Sequence, residues 1–169
     1  MAISTIDNSG LSSTAAIDTS KLGTGAVLQV VQSTYATTST FNSTGPVDLG
    51  LSASITPKSS SSKILVLLSI PTYSSTGSGD VYMRFYIVRG STTISSTAYQ
   101  GVGSSSTAAY HMFSFNYLDS PGTTSAVTYQ IQMCNSGGSS YPSFVNRPAN
   151  SPGVWEMSGA SSLILMEVL

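Results

Sequence analysis

The run Lys63-Ile-Leu-Val-Leu-Leu-Ser-Ile-Pro-Thr-Tyr73 constrains this chain more than any other stretch. Its Val, Ile and Leu residues are packed too briefly for a membrane-crossing helix, and a loop-like Thr-Pro-Lys-Ser segment precedes it, so it reads as a β-strand. Apolar and polar residues do not alternate along it. An antiparallel strand usually shows one face to water, so a strand apolar on both faces implies cover on both. Residues 81–88 and 163–168 read in a similar way. The expectation is a β-sandwich in which one strand face fills the core and the other is sealed by further copies of the chain.

Composition points the same way. A chain of 169 residues is one domain and can bury a core of its own. Only 8% of its residues are charged, against about a quarter in ordinary soluble proteins, while Ser and Thr supply about a third. A net charge of -1 with no Lys/Arg cluster leaves no electrostatic footprint for nucleic acid or an anionic membrane, and neither is expected as a partner. With so little charge repulsion and a mean hydropathy of +0.17, an obligate assembly is expected rather than a free monomer. Residues 1–7 lack the basic and apolar regions of a signal peptide, so synthesis in the cytoplasm is expected. The single cysteine, Cys134, can form no intrachain disulfide and alone holds no zinc; it reads as a small core residue.

Residues 1–23 read as an arm and residues 24–169 as the sandwich. The arm carries the pattern I-D-x-S-x-L twice, at Ile6 to Leu11 and Ile17 to Leu22. Asp and Ser after an isolated apolar residue favour turns, so each copy can present two apolar plugs. Ile6, Leu11, Ile17 and Leu22 are the candidate contacts of that arm; the competing reading is coincidence in a Ser/Thr-rich segment.

From Gly25 onward the pattern is β. Strands are expected at 26–32, at 51–55 with Leu51, Ala53 and Ile55 facing inward, at 63–70, and at 81–88. Lys63 and Pro71 read as guards against edge pairing around the third of these. Period two puts Val81, Met83, Phe85 and Ile87 on one face of the fourth, and Tyr82, Arg84, Tyr86 and Val88 on the other. Large amphipathic residues of this kind are enriched at interfaces, so Tyr82, Arg84, Tyr86 and Val88 are the candidate subunit contact, against the alternative of a solvated sheet face. Arg89-Gly90-Ser91-Thr92 signals a two-residue hairpin turn with Gly at positive φ. Strands at 92–99, 108–118, 126–134 and 163–168 complete an all-β antiparallel sandwich, most economically a jelly roll.

Catalytic signals are missing. His111, the one histidine, falls within a strand, and no G-x-S-x-G elbow is present. The acidic residues are scattered singly, without a D-x-D run, HExxH or CxxC, so no catalytic residue, cofactor or metal ligand is expected. Tyr73, Tyr99, Tyr110, Tyr141, Phe144 and Trp155 lie near Gly/Ser-rich segments, where aromatic faces either stack a sugar or pack against the sandwich ends. Asn42-Ser43-Thr44 matches a glycosylation pattern that is idle without secretion.

Taken in order, Val27-Leu28-Gln29-Val30-Val31-Gln32, residues 50–57, residues 62–66, Arg89-Gly90-Ser91, residues 117–124 and residues 163–167 resemble small β-sandwich modules of tailed-bacteriophage virion proteins. Those of phages infecting cyanobacteria and other aquatic bacteria are the nearest in kind, and the resemblance spans residues 25–168. It implies a jelly-roll homotrimer on a virion, without enzymatic activity. One form is a capsid decoration (cement) protein that binds the major capsid protein on the outer shell. The alternative is a receptor-binding tip of a tail fibre recognising a host glycan. Fibres set a stalk before the tip, and the chain departs from that pattern in having only an arm before the sandwich, which favours the cement reading.

Overall fold

The computed structural model describes residues 22–74, 81–102, 109–138, 140–147 and 159–169. Ten strands follow in order: β1 (Val27–Tyr35), β2 (Ser39–Phe41), β3 (Val47–Ile55), β4 (Lys63–Ser74), β5 (Val81–Arg89), β6 (Thr92–Val102), β7 (Ala109–Asp119), β8 (Val127–Asn135), β9 (Ser143–Val145) and β10 (Ser161–Val168). Every pairing is antiparallel. One sheet runs β1-β10-β4-β7, with the short pair β9-β2 joining β4 beyond the end of β10; the other runs β3-β8-β5-β6. These strand orders, with the connections crossing between the two facing sheets except at β1–β2, the β5–β6 hairpin and β9–β10, are the jelly-roll arrangement. The expected all-β jelly-roll sandwich is the observed architecture. Residues 1–21 of the expected arm lie outside the described residues.

The period-two pattern builds the core. Leu51, Ala53 and Ile55 of β3 face inward as expected, opposite Ile64, Val66, Leu68 and Ile70 of β4 and Leu163 and Leu165 of β10. Phe85 of β5 stacks on Phe113 of β7 across the two sheets, with ring centroids 4.2 Å apart. Gly90 takes the positive φ of the expected β5–β6 turn, 59°, and Arg89 pairs with Thr92 on either side of it. A register slip follows, leaving Ile94 unpaired and partly buried against the core. Gly50 occupies a bulge in β3 at φ 83°, where an added Cβ would meet the Tyr35 ring at 3.0 Å.

Two expectations are corrected. β4 runs on to Ser74 rather than ending at Ile70, and it is a central strand, so Lys63 and Pro71 do not guard an edge. Pro71 falls where one side of β4 changes partner, after Ser69 on β10 and before Thr72 on β9. A residue without an N–H is tolerated in that gap. Val88 is only 5% exposed within the single chain, so it packs inside the subunit and is not available to another copy.

Buried polar groups fix what apolar packing cannot. Arg89 donates to both carboxylate oxygens of Asp119 at 2.9 and 2.8 Å, and the Tyr129 hydroxyl donates to Asp119 Oδ2 at 2.7 Å. This ties β5, β7 and β8 together across the sandwich. Burial, with the Asp119 hydrogen bond, pushes the Tyr129 phenol far up, so it remains a donor. Asn146, at φ 57°, bonds the carbonyls of Tyr35 and Thr37 and accepts from Ser161, anchoring the short β2–β9 pair.

Glu167 is fully buried on the inner side of β10. Its Oε2 accepts from Gln29 Nε2 at 2.6 Å and its Oε1 from the Lys58 N–H at 2.7 Å, so one carboxylate joins β1, β10 and the 56–62 loop. Burial alone would raise its pKa, but these bonds and one from the 59 backbone outweigh burial and hold it below the ordinary carboxylate value. A depressed folded-state pKa contributes stability that is present above the unfolded value and lost as pH falls. The free energy of unfolding should therefore hold above pH 4.5 and fall below it. Denaturant titrations across that range should show a weaker acid loss in Glu167→Gln; identical acid profiles for the two proteins would contradict the assignment.

Candidate functional site

The outer face of the β1-β10-β4-β7 sheet is where sequence and structure meet. Alternate residues of each strand point away from the core, and the register aligns them in rows. Val30, Met166, Leu65 and Leu118 form one row across all four strands. Gln32, Ile164, Leu67 and Asn116 form the next, and Val27 with Val168 lies below the first. Val27, Val30 and Leu118 are 49%, 56% and 49% exposed, and Met112 further along β7 is 53% exposed. The two complete rows carry no ionisable side chain; the lowest, Val27 and Val168, continues to Lys63 on β4.

This aliphatic face has a hollow of 460 Å³, lined by Leu65, Leu118, Val168 and Leu169 with Lys63, Ser61, Thr24 and Gly25. At its rim the Gly25 N–H donates to the Leu169 carbonyl. Leu22, one of the four arm residues singled out above, is exposed there; Ile6, Leu11 and Ile17 lie outside the described residues.

Along the same face the chemistry changes. Above the aliphatic rows comes a row of hydroxyls, Thr34, Ser162, Ser69 and Ser114. Above that, Tyr73 pairs with Tyr110 on one side and Phe144 on the other, with centroids 4.8 and 5.4 Å apart, and the Arg147 guanidinium lies 4.1 Å over the Phe144 ring. Three of the six aromatics singled out in the sequence, Tyr73, Tyr110 and Phe144, are thus collected into one ladder, while Trp155 lies outside the described residues. The aliphatic rows were legible as the non-alternating runs 63–70 and 163–168, whereas the ladder needed the pairing order.

The outer face of the other sheet is polar. Ser54 and Thr128 share a hydrogen bond at 2.8 Å and Gln130 donates to Asp48. Tyr82, Arg84 and Tyr86 are the large residues of this face, on the opposite side of the sandwich from the aliphatic rows. The structure therefore separates the two surfaces that the sequence marks as contacts. Cys134 is buried, with its sulfur 3.5 Å from the Tyr86 hydroxyl.

Among the described residues no three His, Cys, Asp or Glu side chains come together as a metal would require. Asp119, Glu167 and Asp48 are each occupied by protein donors. A hollow of 520 Å³ beneath the β1–β3 connection, lined by Tyr35, Phe41 and Leu49 among others, has Asp48 as its one acid.

The strand order defines an antiparallel jelly-roll sandwich with one aliphatic outer face. No protein-family model matches the chain, and no curated protein matches it in sequence. Among solved structures it is similar to a chain from the Gx strain of infectious bursal disease virus, at 15% identity and a TM-score of 0.38, over 83% of this chain and 36% of that one. It is also similar to chains from the T13 viral particle of that virus, at 14% identity and 0.41, and from its VP2 subviral particle, at 15% and 0.40, each over 83% of this chain and 37% of the other. The chain thus spans little more than a third of the length of those it matches.

If the aliphatic rows are surface and not core, substituting them should leave the isolated subunit intact. Val30→Thr and Leu118→Thr, at concentrations where the chain is monomeric, should each change the unfolding free energy by no more than about 0.5 kcal/mol. Leu165→Thr on the inner face of the same sheet should cost about 2–4 kcal/mol. Equal losses at inner and outer positions would mean that the outer face is packed within the subunit.

Proposed function

We propose that this chain is a structural protein of a virion, a capsid decoration protein that associates with itself as a homotrimer and binds the outer capsid shell through the aliphatic face of the β1-β10-β4-β7 sheet. The observation that carries this reading is the charge-free array on the outer face, with Val30 and Leu118 half exposed and Met166, Leu65, Ile164 and Leu67 partly exposed between them, on a chain with so few charges. An apolar surface of this kind is stabilised by leaving water, at about 25 cal/mol per Å² buried. The resemblance to phage virion modules supplies the trimeric, shell-bound setting in which it would do so.

Size decides what the face can do alone. Strands about 4.8 Å apart and rows about 7 Å apart give the aliphatic positions roughly 270 Å². That is about a third of the ~800 Å² each partner contributes to a standard interface. Two such patches meeting by themselves would hold weakly, so further surface is required. Residues 1–23 provide it: the arm departs beside the hollow at Gly25 and Leu169, and its Ile6, Leu11, Ile17 and Leu22 are suited to seat on the shell or a neighbouring copy. The contact would depend little on ionic strength, because there is little charge for salt to screen.

Val30→Asp with Leu118→Asp tests this reading, since both positions are half exposed and the subunit should still fold. Light scattering should report a trimer for the parent and a monomer for the double variant. The variant should also fail to join capsids that the parent decorates. A folded double variant that still forms trimers and still decorates would overturn the assignment of this face.

A further inference from the structure

The polar sheet face holds a second site, and its geometry points to a ligand. On β5, Tyr82, Arg84 and Tyr86 project from the same face at intervals of about 7 Å. The residues that flank Arg84 in register are both small: Cys134 on β8 and Ala98 on β6. Because its neighbours are small, the row of Arg84 is sunk between the rows of Tyr82 and Tyr86. The result is a hollow of 210 Å³ walled by the two tyrosines, with Thr44 and Ser136 at the rim. Ser136 is itself fixed, its Oγ accepting from the Tyr82 N–H at 2.8 Å.

Arg84 is the chemically distinctive member. Among the described residues the one ion pair is Arg89 with Asp119, so no described carboxylate neutralises Arg84. The acid on this face, Asp48, lies on β3 and is taken by the Gly50 N–H and Gln130. Beside Arg84 the Tyr86 hydroxyl lies 3.5 Å from the Cys134 sulfur, and that contact with partial burial holds the phenol up in its protonated form. The hollow therefore offers a planar cation, a phenol, two aromatic faces and two aliphatic hydroxyls. A guanidinium matches a carboxylate in bidentate fashion, and an aromatic face accepts the C–H face of a sugar ring.

We propose that the Tyr82/Arg84/Tyr86 hollow binds a carboxylate-bearing sugar, a uronic acid unit of an acidic glycan, with its carboxylate on Arg84 and its ring against a tyrosine. The site needs only that this face stay open, which follows if the opposite sheet makes the assembly contact. It assigns a ligand to residues that sequence alone marks as a subunit contact, and an acidic side chain of a neighbouring copy is its rival occupant.

The test is titration of oligogalacturonate, and of its methyl ester as the neutral control, into the intact protein, followed by calorimetry and by NMR of the tyrosine rings. Binding should be saturable, at least tenfold weaker for the ester, weakened by salt, and reduced at least tenfold in Arg84→Gln, with partial rescue in Arg84→Lys. The same titration on the Val30→Asp, Leu118→Asp variant separates the two readings, because the hollow should bind there whether or not that protein assembles. Equal affinity for acid and ester, equal affinity in Arg84→Gln, or no saturable binding at millimolar oligogalacturonate would overturn the site. So would loss of the trimer in Arg84→Gln without any sugar binding by the parent, which would give the hollow to a neighbouring copy.

Discussion

Strand β4 is hydrogen-bonded to β10, β9 and β7 and is apolar on both of its faces, and the rest of the molecule accommodates that fact. Its inner side chains, Ile64, Val66, Leu68 and Ile70, are removed from water by the facing sheet, which requires a second layer. Among the described residues, its outer side chains, Leu65 and Leu67, are covered only by their neighbours in the sheet and stay partly exposed. Burial of the first set stabilises the fold; on the function proposed above, burial of the second awaits another molecule. One physical effect, the withdrawal of apolar surface from water, thus operates at two levels of organisation.

The scarcity of charge sharpens this division of labour. Where ionisable groups do enter the interior, they are fully engaged: Asp119 with Arg89 and Tyr129, Glu167 with Gln29 and the 58–59 backbone. Such groups locate one strand against another, because leaving any one of them without its partner would strand a buried polar atom. The outer faces are then free to differ. One is aliphatic, grading through hydroxyls into an aromatic ladder; the other is a Ser/Thr/Gln surface interrupted by Tyr82, Arg84 and Tyr86.

Much of this was legible in the residues, and the reasons for the rest are specific. Apolar runs bounded by turn signals, with period two at 51–55 and 81–88, located eight of the strands, and the lack of alternation in 63–70 and 163–168 marked the sheet with two apolar faces. Beyond the β5–β6 hairpin the pairing order was not legible, because the other pairings join segments well separated in sequence, as Val27 with Val168 does. β2 and β9 have three residues each, too few to show a period, and are secured by the Asn135 and Asn146 side chains instead. Pro71 was misread as a strand end because a change of partner partway along one edge leaves no trace in the sequence. Val88 was assigned outward by parity, yet its neighbours in the sheet cover it. The hollow at Arg84 depended on the smallness of Cys134 and Ala98, which become its neighbours only once β8 and β6 flank β5.

The native methionines offer the most direct measurement of the central claim. Met112 and Met166 lie on the aliphatic side of the β1-β10-β4-β7 sheet, while Met83 and Met133 are buried in the core. Peroxide oxidation, read residue by residue by mass spectrometry, can be compared between assembled protein and dissociated subunits. The account predicts that Met166 and Met112 oxidise readily in the subunit and are protected on assembly, with Met83 and Met133 slow in both. Equal oxidation of Met166 in the two states would mean that the aliphatic face stays in water, and the account would fail.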